Sequence, residues 1–308
     1  MITVVAGGVG AARYLAGLVQ VVDPEEVTAV VNTGDDTTLH GLRVCPDLDT
    51  VTYTLAGAIN PETGWGLTGE TWQAMAALAR YDPDRAWFRL GDADLGTHLF
   101  RTACLDEGVG LAEVTARITG AWGLRLRLLP MTEQPVATRF TVAGEGEISF
   151  QEYFVHRAHA VAVTGVRFAG VEQARPGPGV LEALSEAERI VVAPSNPLVS
   201  IGPVVAVPGV RAALEARRDD VVAVSPIIAG ATVKGPADRL LAELGHEPSV
   251  VGVARLYAPF VGTLVIDGAD AASAVEVEAA GLRCVVAPTL MTGPAEAAAL
   301  ARTTLELR

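Results

Sequence analysis

The first fifty residues alternate between short apolar runs and a stretch with helical periodicity. Residues 2–6 and 27–31 are almost entirely apolar, which is typical of strands buried on both faces of a parallel sheet. Between them, leucine and valine recur at helical spacing over residues 15–22, after a glycine turn at residues 7–10. This pattern predicts a βαβ unit of about 30 residues, which is the usual opening of a doubly wound sheet.

The same parallel pattern returns in the last part of the chain. Residues 190–193 and 221–224 are predicted strands, and helices are predicted from about residue 209 and from residue 237. Three further short strands are predicted at residues 250–253, 263–266 and 284–287. We therefore predict an α/β fold with a doubly wound, mostly parallel, Rossmann-like sheet.

The middle of the chain has a different pattern. A helix is predicted after Thr50, with Asp49 as its N-cap, and a second helix is predicted to end before Asp82. A strand at residues 87–90 is then predicted to lead into a third helix, and residues 139–150 read as a β-hairpin. We interpret this part as an excursion that covers or extends the site of the core.

No linker or internal repeat divides the sequence, so residues 1–308 are predicted to form a single α/β unit. Its nucleotide-binding core is assigned to about residues 1–50 and 175–308. The smaller α+β excursion is assigned to about residues 51–174.

The chain is acidic, with a formal net charge of -13 at pH 7. This charge argues against nucleic acid or an anionic membrane as a bulk partner. A phosphate-bearing ligand would have to be held by local amides, by a few Arg side chains or by a metal ion. The single lysine, Lys234, is interpreted as a consequence of genome base composition.

The chain is expected to be cytoplasmic. Its three cysteines, Cys45, Cys104 and Cys284, are far apart, as expected of reduced thiols rather than of disulfides or a zinc site. The sequence shows no signal peptide, and no uninterrupted apolar run reaches the roughly 18 residues of a membrane span.

Four carboxylates follow the second predicted strand, namely Asp35, Asp36, Asp47 and Asp49. Such a cluster repels itself unless it is spread out in solvent or gathered around a cation. Its position at a strand end, where doubly wound sheets bind ligands, favours the cation. Asp49 is the first candidate, followed by Asp35 and Asp47, and Asp36 is assigned to solvent.

The glycine turn reads G-x-G-x-x-R, with Gly8, Gly10 and Arg13. Its glycines could let backbone amides approach a phosphate at the N-terminus of the following helix. They could equally satisfy a tight turn that needs a positive φ. The turn lacks the third glycine of the dinucleotide fingerprint and the GK[ST] ending of a P-loop, so the pattern alone leaves both alternatives open.

Seven blocks, in order along the chain, resemble the 2-phospho-lactate transferases of deazaflavin coenzyme F-420 biosynthesis. The actinobacterial enzyme of this family is described as a phosphoenolpyruvate transferase. The blocks are residues 7–10, 31–36, 46–50, 90–98, 129–132, 195–203 and 224–228. One position departs from the family, because its G-D-R-D motif here has Ala93 as its third residue. Arg89 or Arg101 would then have to replace the missing arginine.

The resemblance implies a magnesium-dependent transfer between small molecules. The donor would be a guanosine diphosphate ester of a three-carbon acid, either phosphoenolpyruvate or phospholactate. The acceptor would be the primary hydroxyl of the ribityl tail of the deazaflavin Fo, and GMP would leave as a phosphodiester forms. The excursion would complete the acceptor site, and a homodimer is expected.

Site residues are assigned by function, with help from the resemblance. Catalysis is assigned to Asp47 and Asp49, and Mg²⁺ binding to Asp35 and Asp49. The deazaflavin is assigned to Asp49, Thr50, Trp65, Asp92, His98 and Arg101. The nucleotide is assigned to Gly7, Gly8, Gly10, Arg13, Ser195, Asn196, Ser200, Gly202, Ser225 and Pro226. Asp49→Asn is expected to abolish transfer and to leave the fold intact.

Two other functions remain as alternatives. A related family of nucleotide- or sugar-nucleotide-binding regulatory proteins shares the glycine turn and the fold, but its second strand ends in an Asp-Asp-Gly-Gly-Ser-Ser run that is absent here. An NAD-dependent dehydrogenase is disfavoured by Arg13 in place of the third glycine. It is also disfavoured by Asn32 at the strand end, where an acidic residue would bind ribose.

Overall fold

The computed structural model describes residues 1–307, except for the side chain of Arg85. Its strands in chain order are β1 (Ile2–Ala6), β2 (Val27–Val31), β3 (Thr37–Leu39), β4 (Leu42–Val44), β5 (Arg127–Pro130), β6 (Ala137–Val142), β7 (Gly146–Ser149), β8 (Val163–Ala169), β9 (Arg189–Val192), β10 (Val221–Val224), β11 (Ile227–Ile228), β12 (Ala231–Thr232), β13 (Thr263–Ile266) and β14 (Arg283–Val286).

The helices in chain order are α1 (Gly8–Leu18), α2 (Pro46–Leu55), α3 (Gln73–Tyr81), α4 (Asp94–Asp106), α5 (Leu111–Ala121), α6 (Val180–Glu186), α7 (Gly202–Ala206), α8 (Val210–Ala216), α9 (Ala237–Glu243), α10 (Val250–Tyr257), α11 (Ala274–Ala279) and α12 (Pro294–Glu306). Two wide π-helical turns, Glu152–His156 and Pro197–Ile201, lie outside these helices.

Seven strands form a central sheet in the order β14-β13-β10-β9-β1-β2-β5, and every neighbouring pair is parallel. Side chains alternate between its faces, so that Val4 and Val5 belong to two separate hydrophobic clusters. Helices α1 and α12 contribute to the cluster of Val4, whereas α8 and α10 contribute to that of Val5. The predicted doubly wound α/β fold is confirmed.

The order in which the chain adds strands to the sheet reverses between β1 and β9. Strands β2 and β5 follow on the side of β1, and β10, β13 and β14 follow on the side of β9. In doubly wound folds, ligands bind at the carboxyl ends of the strands beside such a reversal. The glycine turn follows β1, and Pro194–Asn196 follows β9. Two of the three predicted nucleotide-binding turns therefore lie at the reversal point.

The structure corrects three of the predicted elements. Residues 250–253 begin helix α10, whose start is capped by Ser249, and do not form a strand. Residues 87–90 form turn and irregular structure. Helix α2 begins at Pro46, with Cys45 as its N-cap, so Asp49 lies inside the first turn of the helix and does not cap it.

The predicted excursion contains a strand of the central sheet as well as a small sheet of its own. Strand β5 pairs with β2 at the sheet edge, although it falls within residues 51–174. Strands β7, β6 and β8 form an antiparallel sheet, which includes the predicted hairpin. Residues 51–174 therefore contribute to the core and to a separate subdomain.

No single helix in residues 1–307 is long and apolar enough to cross a membrane. Residues Pro197–Ala206 and Val210–Ala216 reach that length only as a pair, and they are bent by 94°.

Candidate active site

A cavity of about 400 Å³ opens at the carboxyl ends of β1, β2 and β9. The loops after β10 and β14 also reach it, at residues 225–226 and 289–291. The segment that follows β7 in the small antiparallel sheet contributes Phe150, Gln151, Phe154 and Val155. The cavity therefore lies where the core and the excursion meet.

The cavity brings together fifteen of the predicted site residues. They are Gly7, Gly8, Gly10, Arg13, Asp35, Asp47, Asp49, Thr50, Trp65, His98, Ser195, Asn196, Ser200, Ser225 and Pro226. Three predicted residues do not line it. Asp92 accepts hydrogen bonds from the start of α3, Gly202 packs against Phe168, and Arg101 lies buried behind Asp49. These three residues do not line the cavity, and their assignment to the substrates stays a prediction.

The glycine turn is required by packing as well as by the cavity. Gly8 has a φ of 70°, which favours glycine. A Cβ on Gly10 would lie 2.1 Å from the carbonyl oxygen of Pro194, so only glycine lets α1 approach the loop after β9 this closely. Gly7 is similarly close to Ser200. The positive φ of the tight-turn explanation is therefore found at Gly8 alone, whereas Gly7 and Gly10 are required by close packing. The N-terminus of α1 nevertheless faces the cavity without a side-chain cap.

Asp49 is already neutralised by a buried arginine. Both of its oxygens accept hydrogen bonds from Arg101, which is only 1% exposed and reaches it from helix α4. His98 lies one turn earlier on α4, with its Nδ1 3.7 Å from Asp49 and its Nε2 3.2 Å from Asp94. Tyr53 donates to Asp94 over 2.7 Å. Asp49 thus belongs to a compensated network that joins α2 to α4.

Asp35 and Asp47 have no such cation beside them. Burial, followed by the charge of Asp47, raises the pKa of Asp35 well above its usual range. The Oδ1 atom of Asp35 is buried and has no hydrogen-bond partner. Burial also raises the pKa of Asp47 to about 6, although hydrogen bonds from Asn32 and the Gly8 amide oppose the rise. These two carboxylates form the uncompensated half of the acidic cluster.

Asp36 does not lie in solvent, which corrects its assignment. Asp36 is only partly exposed, and its Oδ1 atom is buried without a hydrogen-bond partner. Burial raises the pKa of Asp36 to about 8, and the nearby Cys45 thiol opposes the rise. Because Asp36 does not line the cavity, its carboxylate lies behind the site and not in it.

Most of the predicted nucleotide-binding polar groups hold their own loops in place. The Ser195 hydroxyl donates to the Gly7 carbonyl over 2.6 Å, which ties the loop after β9 to the glycine turn. The Asn196 side chain accepts from two backbone amides, and the Ser225 hydroxyl bonds within its own turn. These residues line the cavity, but part of their hydrogen-bonding capacity is used to shape it.

The sequence analysis did not assign several of the residues that line the cavity to the site. Phe150 and Phe154 stack with their ring centroids 5.3 Å apart and form an aromatic wall. Lys234 lines the cavity from the loop before α9, so its interpretation as mere base composition is incomplete. Arg89 also lines it and stacks over Trp72 at 4.0 Å. Between the two arginines that could replace the family arginine, only Arg89 reaches the cavity. Among these residues, only Lys234 had a feature in the sequence that could have pointed to the site, because it is the only lysine in the chain.

The side chains alone do not form a metal cage. Among residues 1–307, no group of three His, Cys, Asp or Glu side chains converges as metal ligands. Mg²⁺, however, is often held by one or two carboxylates together with substrate phosphates and water. The unpartnered oxygen of Asp35 beside Asp47 fits that kind of site.

A family model described as 2-phospho-L-lactate transferase CofD matches residues 2–285. Curated relatives named phosphoenolpyruvate transferase include one from Streptomyces griseus, which is 47% identical and covers 99% of this chain and 98% of its own. The relative from Mycolicibacterium smegmatis is 40% identical, with 99% and 98% covered. A solved UPF0052 family protein from Bacillus halodurans has a TM-score of 0.63 at 16% identity, covering 99% and 98%, and supports the fold alone.

Proposed function

Because this chain belongs to the CofD family of 2-phospho-L-lactate transferases, and is therefore a transferase, we propose that it forms the phosphodiester of coenzyme F-420 biosynthesis. The acceptor is the ribityl hydroxyl of the deazaflavin Fo. The donor is a guanosine diphosphate-linked three-carbon acid, and the phosphoenolpyruvyl group is preferred over 2-phospho-L-lactyl because the actinobacterial relatives are named phosphoenolpyruvate transferases. The products are dehydro-F-420-0, or F-420-0 with the second donor, and GMP.

One observation carries this proposal, which is that a single cavity has three chemically different walls. Asp35, Asp47 and Asp49 form an acidic wall. The N-terminus of α1, with Arg13, offers amides and a positive charge suited to phosphate. Phe150 and its aromatic neighbours offer an apolar face suited to a flat ring system. A diphosphate donor and an aromatic acceptor need these three environments side by side.

The reaction requires little covalent chemistry from the protein itself. The ribityl oxygen bonds to the phosphorus of the three-carbon acid phosphate and loses its proton to solvent, and the bond from that phosphorus to the bridging oxygen breaks, so that GMP leaves with the electron pair. Positioning and neutralisation of charge are then the main sources of catalysis. When bound, Mg²⁺ supplies that neutralisation at the phosphate oxygens.

Each acidic residue has a role in this scheme. Asp35, whose buried Oδ1 atom has no partner, is the first candidate to hold Mg²⁺, with Asp49 as the second ligand. Asp47 accepts a hydrogen bond from the ribityl hydroxyl and orients it for attack. Arg101 fixes Asp49 in place, because it donates hydrogen bonds to both carboxylate oxygens from behind the cavity.

The test is to incubate the purified protein with Fo, Mg²⁺ and each guanosine diphosphate-linked donor in turn, and to identify the product by mass. We expect the dehydro product from the phosphoenolpyruvyl donor and equimolar GMP. Parallel reactions with excess EDTA are expected to give no product. If no donor yields an adduct, while another nucleotide binds tightly, the protein is a regulatory nucleotide-binding protein of the same fold.

A further inference from the structure

Three cationic side chains line the cavity without an ion pair to any of the acids that the structure describes. They are Arg13 on α1, Arg89 in the loop before α4, and Lys234 in the loop before α9. Arginines elsewhere on the surface are mostly paired with acids; examples are Arg117 with Glu113 and Arg255 with Glu247. The cavity of this acidic protein, whose net charge is -13, therefore holds three cations that no described acid pairs with.

Lys234 is held in position by a loop from the excursion. Its Nζ atom donates to the carbonyl oxygen of Thr63. The loop is stiffened by its own bonds, because the Thr63 hydroxyl donates to the Trp65 carbonyl over 2.6 Å and the Gly64 amide donates to Asn60 over 2.8 Å. An ammonium group has three donors, so at least one remains for a ligand.

Lys234 also lies near the glycine turn. A Cβ built on Gly64 would lie 2.6 Å from the Lys234 Nζ and 3.5 Å from Cγ1 of Val9, so the loop, the lysine and the turn meet at one point. Partial burial, and after it the charge of Arg13, lower the pKa of Lys234. The two cations are therefore close enough to repel each other, and an anion between them would relieve that repulsion.

We propose that Arg13 and Lys234 form a phosphate-binding subsite at the N-terminal turn of α1, and that this subsite holds a phosphate of the guanosine nucleotide. The inference rests on the proposed function for the identity of the nucleotide. The subsite takes the donor and not the acceptor, because the ribityl tail offers hydroxyl groups and no anion. Two cations match the charge of a phosphate, and the first turn of α1 adds backbone amides, of which only that of Gly8 is known to be occupied, by Asp47.

Lys234 can be observed directly, because it is the only lysine in the chain. An amine-specific acylating reagent modifies Lys234 and the N-terminal amine, and mass spectrometry separates the two products. The N-terminus precedes β1, at the end of the strand opposite the cavity, and serves as an internal control. With saturating GDP, the acylation rate of Lys234 should fall about tenfold while that of the N-terminus stays constant. An unchanged Lys234 rate with saturating GMP and with saturating GDP overturns the proposal.

Substitutions give a second, independent measurement. GMP and GDP binding is measured by calorimetry for wild type, Lys234→Met, Lys234→Arg and the control Arg255→Met, whose side chain lies in an exposed ion pair. Lys234→Met should bind at least one nucleotide about 10- to 100-fold more weakly, as expected for the loss of a hydrogen bond to a charged group. Lys234→Arg should retain most of the affinity, and Arg255→Met all of it.

The two nucleotides identify which phosphate is bound. Weaker binding of both by Lys234→Met assigns the subsite to the phosphate next to guanosine, and weaker binding of GDP alone assigns it to the second phosphate. Wild-type affinity for both nucleotides overturns the subsite. If no donor is turned over with Fo, the proposed function fails, but the acylation and binding measurements still decide the subsite. If transfer proceeds and Lys234→Met behaves as wild type, only the subsite fails.

Discussion

The two halves of the acidic cluster differ in how their charge is compensated. Asp49 is bonded through both oxygens to the buried Arg101. Asp35 and Asp47, which line the same cavity, repel each other and have no arginine beside them. Arg101 offsets the charge of Asp49 whether or not Mg²⁺ is bound, whereas no protein cation offsets the charges of Asp35 and Asp47. Proximity in sequence does not distinguish these two states.

The largest effect is expected from the uncompensated half. Asp35→Asn should lower kcat/KM for transfer about 1,000-fold, or about 4 kcal/mol, because it removes a negatively charged ligand of Mg²⁺. The fold should be kept, since the amide has nearly the same shape and no charge to bury. Steady-state kinetics and thermal unfolding check both statements. Asp36→Asn is the matched control, because Asp36 is the next residue but does not line the cavity. Wild-type kcat/KM in Asp35→Asn would remove Asp35 from the site.

The pair of Asp49 and Arg101 should instead affect the stability of the folded protein. Arg101→Met leaves the Asp49 carboxylate buried and unpaired, which should lower the free energy of unfolding by about 3 kcal/mol. Asp49→Asn should also be destabilising, because it leaves Arg101 unpaired, and this replaces the expectation that its fold stays intact. Urea unfolding measures both. The double variant should recover part of the loss, whereas Arg117→Met, which breaks an exposed ion pair, should cost much less than Arg101→Met. Equal losses for Arg101→Met and Arg117→Met would contradict the comparison.

The buried carboxylates whose pKa values are raised should also make stability depend on pH in an unusual direction. The folded-state pKa values of Asp47, about 6, and Asp36, about 8, lie above the usual value near 4. The folded protein therefore binds more protons than the unfolded chain between pH 4 and pH 8, and its stability falls as pH rises through this window. We expect a loss on the order of 2 kcal/mol without Mg²⁺, measured by urea unfolding at several pH values. The Asp36→Asn/Asp47→Asn variant should have a smaller pH dependence, and Asp35, whose pKa is also raised, should account for what remains. Stability that rises from pH 5 to pH 8 would refute the assignment.

Mg²⁺ binding should have the smallest of the four expected effects. A ligand that binds only the folded state stabilises it by about 1.4 kcal/mol at ten times its Kd. Thermal unfolding with and without Mg²⁺ should show this gain in wild type, and EDTA should reverse it. The gain should be kept in Asp36→Asn and lost in Asp35→Asn. An equal gain in all three proteins would place the ion elsewhere.

Sequence reasoning succeeds where a local pattern has a single structural meaning. The apolar runs at residues 2–6, 27–31 and 221–224 match β1, β2 and β10 at every residue. It fails at residues 250–253, because helix α10 is buried on several faces and its apolar run lacks the periodicity that separates helix from strand. It also fails at residues 87–90, where aromatic residues typical of strands lie in a turn.

The sequence by itself determined the α/β fold, the family and the placement of the acids and glycines at strand ends, because these follow from local periodicity and from motifs in a fixed order. Only the tertiary structure decided how the acids are compensated. Arg101 is 52 residues from Asp49, and Lys234 is 171 residues from Thr63, so no local pattern records either contact. Whether a carboxylate needs a cation depends on burial and on neighbours from distant segments, which exist only once the chain is folded.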